Sequence, residues 1–517
     1  MSRNMPRWMM RAGLAACGCS AVLSQKVAAQ WRFVPTPAPC ETATGILSSG
    51  DGSARARLVD LAVITLYVNS APAGDRYLAD ALADHLAYHF AHDRGFTSPS
   101  REGVRRPPPT EANEVSETAR ALGVRYLLSG TINGSPTGSE LTMLLHDARD
   151  GVAIWQGRFA LGTSNALAVS RKIRTGVLTR LRGAAYASDS VATGGTFVPA
   201  AFEQFLRGLD ADRERGPRFF GRAITFFREA TKHDPRFAEA YARLALAITR
   251  ALENGLTDAR ENPEKLAAEA RSAADRAVEL DSTFALAWLA RATTLSLGKY
   301  NPAAQAAFRR AATLDPREPE ILWREGRVLL RDGRRAEGER RLRDASALSA
   351  RFSAAQADLG ALALISRKQD VACGWLNEAI ASDPYASAAY ALRAVARRRD
   401  GELRLAWADA EVTTRLGARL LGETAAALVD LSAGDTTKAR ARSRWVTREL
   451  ERRSRLSQLE ARYVAALFVG LKERERALRA IDKAFPRDGQ LSLILQDDVF
   501  APISRDPRYR RATGRTS

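Results

Sequence analysis

The chain has 517 residues, enough for several domains, and a formal charge of +19 from 78 basic and 59 acidic side chains. Only nine of the basic residues are lysine, which leaves 78 − 9 = 69 arginines. Many alternate with Asp and Glu at helical spacing, as in REPEILWREGR (317–327), so the charge reads mainly as solvated helix faces. It does not call for a nucleic-acid partner and none is expected, although the balance favours anionic partners of some kind.

The first thirty residues read as a processing segment. Arg3, Arg7 and Arg11 precede the short apolar run Ala12 to Leu23, and Val27-Ala28-Ala29 offers small residues for cleavage before Gln30. Twelve apolar positions are too few to cross a bilayer, which needs about twenty. Export with cleavage after Ala29 is therefore expected, to a periplasmic or other extracytoplasmic compartment. Leu14-Ala15-Ala16-Cys17 also resembles a lipoprotein box, the one route by which the chain would be anchored to a membrane. Cleavage after Ala29 leaves Cys40, in the Pro-rich FVPTPAPC of the 30–54 linker, and Cys373, in a helix of the second half. They are expected as two unpaired thiols. GILSSGDG (45–52) has the glycines of a phosphate loop but Asp51 where the lysine belongs, so it reads as flexible linker.

Residues 55–183 predict a small α/β domain. The apolar LVDLAVITLYV (58–68) reads as strand, and 75–92 and 111–122 as helices. VRYLLSGTI (124–132), LTMLLHD (141–147) and VAIWQGRFAL (152–161) read as three strands separated by turns at Asn133-Gly134 and Asp150-Gly151. A basic amphipathic helix, 165–182, closes the unit. On the first helix, His85, His89 and His92 project from one side, next to the apolar stripe Leu78, Leu82, Leu86 and Phe90. Three imidazoles so spaced offer a zinc or copper ion a weak candidate site, with Asp93 nearby. A polar helix edge beside the core is the expected reading, with no cofactor. No G-x-S-x-G, H-E-x-x-H, EF-hand or C-x2-C pattern occurs in the sequence, so no enzyme is expected.

After a linker at 184–200 the chain repeats itself. Ala223, Phe227, Ala230 and Asp234-Pro235 recur as Ala304, Phe308, Ala311 and Asp315-Pro316, and as Ala372, Leu376, Ala379 and Asp383-Pro384. Weaker copies end at Asp281 and Ser349, so 281, 315, 349 and 383 mark three steps of 34 residues. The step from Asp234 to Asp281 is 47, or 34 plus a 13-residue insertion. A 34-residue helix–turn–helix period is the signature of tetratricopeptide repeats. Small residues let paired helices approach, the aromatic fills the space beside them, and proline ends the second helix. The repeats are expected over 201–486, followed by a tail at 487–517. The predicted fold is mainly α, a right-handed tetratricopeptide solenoid preceded by the small α/β domain.

AVITLYVNSAPAGDRYLADALADHL (62–86), ARALGVRYLLSGTI (119–132) and LHDARDGVAIWQGRF (145–159) resemble the TolB-like amino-terminal (FlgO-like) domain of bacteria. In that family the domain is often followed by tetratricopeptide repeats. AFEQFLRGLDADRERG (201–216) and LILQDDVFAPISRDPRYRRA (493–512) are similar to its repeat portion. The resemblance implies a sensory or scaffolding part, commonly joined to a winged-helix, kinase or adenylate cyclase module. Residues 1–54, read as leader and linker, leave no room for such a module before the domain.

The first helix of each repeat usually lines a concave face that takes extended peptides or helices. The 34-residue frame puts Trp323, Arg327, Arg331, Leu364 and Arg398 on that face. Arginine holds carboxylates bidentately and tryptophan supplies apolar area, so an acidic, partly apolar segment of a protein or peptide partner is expected there. The alternative for these arginines is that they only solubilise the surface or bond across to neighbouring repeats. The sequence thus predicts an exported, non-enzymatic interaction scaffold, or else a ligand- or metal-sensing component of envelope signalling.

Overall fold

The computed structural model describes residues 37–40, 59–64, 66–70, 76–92, 96–97, 111–135, 138–183, 195–213, 217–253, 262–297, 300–349, 352–453, 455–485 and 498–513. The leader, Cys17, Cys19, Asp93 and most of the 30–54 linker, including GILSSGDG, lie outside them. The chain divides into two compact units, Met1–Pro37 and Ala38–Ser517, and every element below belongs to the second. None of its described helices is long and apolar enough to cross a membrane.

The apolar run 58–68 forms two strands, β1 (Val59–Val63) and β2 (Tyr67–Val68), both parallel to β4 (Tyr126–Ser135). β3 (Phe96–Thr97), not foreseen in the sequence, pairs parallel with β1 on its other side. β4 continues antiparallel into β5 (Gly138–Asp147) and β6 (Ala153–Leu161). Asn133-Gly134 is not the expected turn: both residues lie inside β4, opposite Glu140 and Ser139, and the ladder runs on to Ser135 opposite Gly138. The Ser70 hydroxyl accepts the Gly134 N–H at 2.8 Å, and the Asn69 side chain donates to Asn133 Oδ1 at 3.2 Å. These partners hold the pair in strand conformation, where turn propensity alone would reverse it. Asp150-Gly151 does turn, with Gly151 at φ 71°.

Alternation along β1 fixes the layers. Ala62 and Ile64 face α2 (Ala112–Leu122), in a small core with Val115 and Leu122. Leu61 and Val63 face the opposite way, towards α1 (Arg76–His92) and α3 (Ala166–Arg182). That second core does not end with the α/β layer. It continues without a break through Phe202, Phe205, Phe227 and Leu289 as far as Val328 in the repeats.

The repeats are helix pairs. In order, α4 (Pro199–Arg213) and α5 (Pro217–His233), α6 (Ala238–Glu253) and α7 (Pro263–Leu280), and α8 (Ala285–Leu295) and α9 (Pro302–Leu314) form the first three. α10 (Pro319–Arg331) and α11 (Arg335–Leu348), α12 (Ser353–Ile365) and α13 (Gln369–Ser382), and α14 (Ser387–Arg399) and α15 (Leu403–Arg415) follow. α16 (Arg419–Ser432) with α17 (Thr436–Arg452), and α18 (Gln458–Gly470) with α19 (Arg474–Asp482), end the array, and α20 (Pro507–Ala512) packs on α19. β7 (Leu456–Ser457) and β8 (Ala484–Phe485) form a short parallel ladder around the last pair. The first helices begin at 285, 319, 353 and 387, which are steps of 34; later starts at 419 and 458 depart from it.

The repeat motif does what its chemistry requires. Phe227, Phe308 and Leu376 are buried, as are Ala230, Ala311 and Ala379. At Gly326 and Gly338 paired helices meet backbone to backbone: a Cβ on Gly326 would stand 3.0 Å from the Gly338 carbonyl oxygen. The Asp of each Asp-Pro has a role beyond ending a helix. Oδ1 of Asp234, Asp315 and Asp383 accepts the N–H two residues on, at 2.9, 3.1 and 2.9 Å. Asp281, which has no proline after it, makes the same bond to Thr283. Each carboxylate thereby closes an Asx turn across the proline step.

Candidate functional site

The seam between the α/β layer and the repeats is built on α1. Leu78, Leu82, Leu86 and Phe90 bury the stripe that faces the sheet. The adjoining edge, which carries the histidines, meets the first repeats. The three imidazoles do not share one site, as the sequence alone allowed. His85 and His89 turn towards Glu239 on α6, and His92 turns towards Asp315 and Glu318 at the α9–α10 turn. The reason is helical geometry. His92 lies seven residues beyond His85, at the end of α1, and so reaches a repeat further along the array.

His89 Nε2 lies 3.3 Å from Glu239 Oε2, and the His85 ring packs edge-on against His89 and Phe202. Burial pushes the Glu239 carboxyl up, but the charge of His89, its hydrogen bond, and then His85 and Arg243 hold it down at about 2. His85 is pushed well below its ordinary value, first by burial and then by His89. Arg243 also lies over the Tyr88 ring, 4.8 Å from its centre.

His92 Nε2 stands 3.0 Å from Asp315 Oδ2 and 3.3 Å from Glu318 Oε2. Its Nδ1 donates to the Tyr88 carbonyl at 2.6 Å. Burial lowers the affinity of this imidazole for a proton, but hydrogen bonds to the two carboxylates and their charges raise it to about 10.

The structure brings the predicted groove residues together only in part. The Trp323 Nε1 donates to Asp358 Oδ2 at 2.8 Å, and Arg327 approaches the same oxygen at 3.9 Å with its guanidinium 5.2 Å from the Trp323 ring centre. Arg331 pairs with Glu253 at 2.9 Å and also donates to the Ser296 carbonyl. The cross-repeat alternative is thus realised for these arginines: acidic residues of the array already engage them. Burial pushes Asp358 up even so, with Arg327 acting against it. Leu364 is 2% exposed and belongs to the core, not to a contact face. Arg398 lies further along, donating to Ser432 Oγ at 3.1 Å.

A second arrangement was not legible as a site. Cys40 and Cys373 are joined in a disulfide across 333 residues, with their Cα atoms 5.7 Å apart. The expectation of two free thiols is thereby corrected. The physical reason is a clamp that seats Ala38–Cys40 on the array and brings Cys40 to α13. Asn377 Oδ1 accepts the Cys40 N–H at 3.2 Å, and Asn377 Nδ2 donates to the Cys40 carbonyl at 3.1 Å. Arg397 donates to the Ala38 carbonyl. Behind them Arg393 reaches Asn377 Oδ1 at 3.0 Å and holds Asp409 through two bonds of 2.8 and 3.0 Å. Arg397 shares that carboxylate at 2.8 Å, so two guanidiniums and one aspartate stand fully buried behind the clamp.

Fold and site define a tetratricopeptide-type helical array that carries a small α/β layer at its head and holds a short segment of its own chain, Ala38–Cys40. No family model matches the chain. A protein of Rhizobium meliloti (strain 1021), provisionally named adenylate cyclase 3, is 23% identical over 192 residues, covering 34% of this chain and 32% of its own length. The chain therefore spans about a third of that relative. Among solved structures, yeast Tom70 has a TM-score of 0.39 at 15% identity, covering 62% of this chain and 69% of its own. The Cut9–Hcn1 hetero-tetramer of the APC/C has a TM-score of 0.42 at 11% identity, covering 68% and 62%. These scores are low, and the assignment of the array rests on the helix pairing within this chain.

Proposed function

We propose that the protein is an exported, non-enzymatic interaction scaffold of the cell envelope whose repeats bind an extended segment of a partner protein. The observation that carries this reading is the clamp on Ala38–Cys40. One asparagine supplies both a donor and an acceptor to a single residue's backbone, and an arginine takes a second carbonyl. Such main-chain bonds give affinity with little dependence on side chains, as in other modes that recognise extended peptides. Residence in an oxidising envelope compartment is supported by the leader-like order of basic, apolar and small residues and by the disulfide. An acidic partner would compete with Asp358 and Glu253 for Trp323, Arg327 and Arg331.

The test uses a chain lacking residues 1–54 and a labelled peptide of residues 33–42 with serine at position 40. Saturable binding that weakens at least about tenfold in Asn377→Ala is the expected result. Absence of saturable binding removes the peptide-clamp reading. Sensing within envelope signalling is a second reading, favoured by the two histidine–carboxylate clusters where the α/β layer meets the repeats.

A further inference from the structure

The carboxylates around His92 are prepared for more than a salt bridge. Asp315 caps α9, and its Oδ1 is occupied by the Arg317 N–H at 3.1 Å. Glu318 caps α10, and its Oε1 is occupied by the Glu320 N–H at 2.8 Å. The other oxygen of each turns to His92 Nε2, at 3.0 and 3.3 Å. The imidazole is fixed in the same manner, because its Nδ1 hydrogen is given to the Tyr88 carbonyl. All three groups are therefore held by backbone atoms behind them, and the three remaining atoms lie within 4.8 Å of one another. This is how metal ligands are oriented by the atoms behind them.

The geometry also asks for a cation. With its Nδ1 hydrogen committed to a carbonyl, a neutral ring would direct the Nε2 lone pair at two carboxylate oxygens. Something positive must stand between them, either a proton on Nε2 or a metal ion. For bonds of about 2.0–2.1 Å the edge of a ligand tetrahedron is about 3.3 Å, close to the two spacings found here. We propose that His92, Asp315 and Glu318 form a binding site for one divalent transition-metal ion, zinc by preference, at the seam between the α/β layer and the repeats. One imidazole and two carboxylates suit zinc and leave a fourth position to water. Each of the three side chains is partly open to solvent, which allows entry.

The neighbouring cluster of His85, His89 and Glu239 is the weaker candidate. Arg243 lies 3.8 Å from Glu239, and Arg174 and Arg243 both act on His85, so an added cation would face two others. Around His92, Arg317 acts on Asp315, while Arg243 is set off by Tyr88, whose ring lies 4.0 Å from that of His92 and 4.8 Å from the Arg243 guanidinium. The inference stands whether or not the repeats bind a peptide.

The test is competition for zinc(II) between the full chain, stripped with a chelator, and a chromophoric chelator near neutral pH. One equivalent per chain is expected. Cobalt(II) in the wild-type chain should show the visible bands of a low-coordinate site, a readout that needs no variant. Affinity should fall at least about tenfold in His92→Gln and in Glu318→Gln and stay unchanged in His85→Ala, with circular dichroism reporting the fold. No competing equivalent in the wild-type chain overturns the proposal, as does unchanged affinity in both His92→Gln and Glu318→Gln. Loss in His85→Ala with retention in His92→Gln also overturns it, by moving the ion to the other cluster.

Discussion

His89 of the α/β layer and Glu239 of the repeats, 150 residues apart, meet at 3.3 Å in a nearly water-free seam. The pair lies within one apolar core shared by both parts of the molecule. The α/β layer and the repeats are thereby tied, and the tie depends on ionisation.

The pH dependence of that tie follows from Glu239, whose carboxyl is held at about 2 against an ordinary 4.5. A depressed carboxyl adds stability that is complete above 4.5 and is lost as pH falls from 4.5 towards 2. The difference corresponds to on the order of 3 kcal/mol. Glu239→Gln is expected to unfold at lower urea than wild type above pH 4.5, with the two midpoints converging as pH falls through that window. Urea titrations of both chains at several pH values check it, and a constant gap would show that the pair has no such role.

The disulfide makes a prediction about thiols. If export removes the leader at Ala29, the mature chain shows no free thiol after denaturation without reductant and two after reduction, those of Cys40 and Cys373. An unprocessed chain would retain Cys17 and Cys19 as well. Amino-terminal sequencing and thiol titration of the native protein settle both points. Cys373→Ser is expected to lower stability by about 2–4 kcal/mol, the typical value for a lost disulfide, and to make the segment near Ala38 easier to proteolyse.

Close packing between paired helices gives a third test. Gly326→Ala puts a carbon 3.0 Å from the Gly338 carbonyl, and Gly338→Ala puts one 2.8 Å from that of Gly326. Backbone cannot swing aside, so each is expected to destabilise by about 1–3 kcal/mol. Ala311→Trp, at a fully buried position of the motif, should cost at least as much. Thermal midpoints equal to wild type for all three would mean that the helices do not meet at these residues.

Local and periodic features were the legible part of the molecule. The helix-end marker at 281, 315, 349 and 383 recurs every 34 residues, and at three of these positions an Asp closes its own turn, so Asp281, Asp315 and Asp383 announce the helix pairs directly. Strands β4, β5 and β6 follow from alternation, although Asn133-Gly134 misled because Ser70 and Asn69 hold it in the ladder. The site was legible only from one side. His85, His89 and His92 stand together in sequence, but their partners Glu239, Asp315 and Glu318 come from the repeats, and nothing local links them. Asp315 shows the difficulty best, since the residue that marks the period is also the one facing His92. Arg327 and Arg331 were correctly grouped on one helix, yet their counter-charges Asp358 and Glu253 belong to other repeats. The Cys40–Cys373 link, with 333 residues between its ends, left no local trace.

The last prediction concerns the buried charges behind the clamp. Asp409 is fully buried and accepts two bonds from Arg393 and one from Arg397, and through these arginines it reaches Asn377 and the Ala38 contact. Burial pushes its carboxyl up while the two arginines pull it down, and burial likewise weakens the hold of Arg397 on its proton. Removing the carboxylate leaves two buried guanidiniums with the partly exposed Glu402, 3.7 Å from Arg397 Nε, as the remaining counter-charge beside Arg397, a change that typically costs about 3–5 kcal/mol. Asp409→Ala is expected to show that loss in urea unfolding. Asp409→Asn, which keeps the shape and one acceptor, is expected to lose less stability yet to loosen the clamp, because the charge that orders Arg393 and Arg397 is gone. Hydrogen exchange then separates the two roles: in Asp409→Asn the Cys40 amide should exchange faster while amides of α6 and α8 keep wild-type rates. Unchanged exchange at Cys40 would show that Asn377 and the disulfide seat the segment without help from the charges behind them.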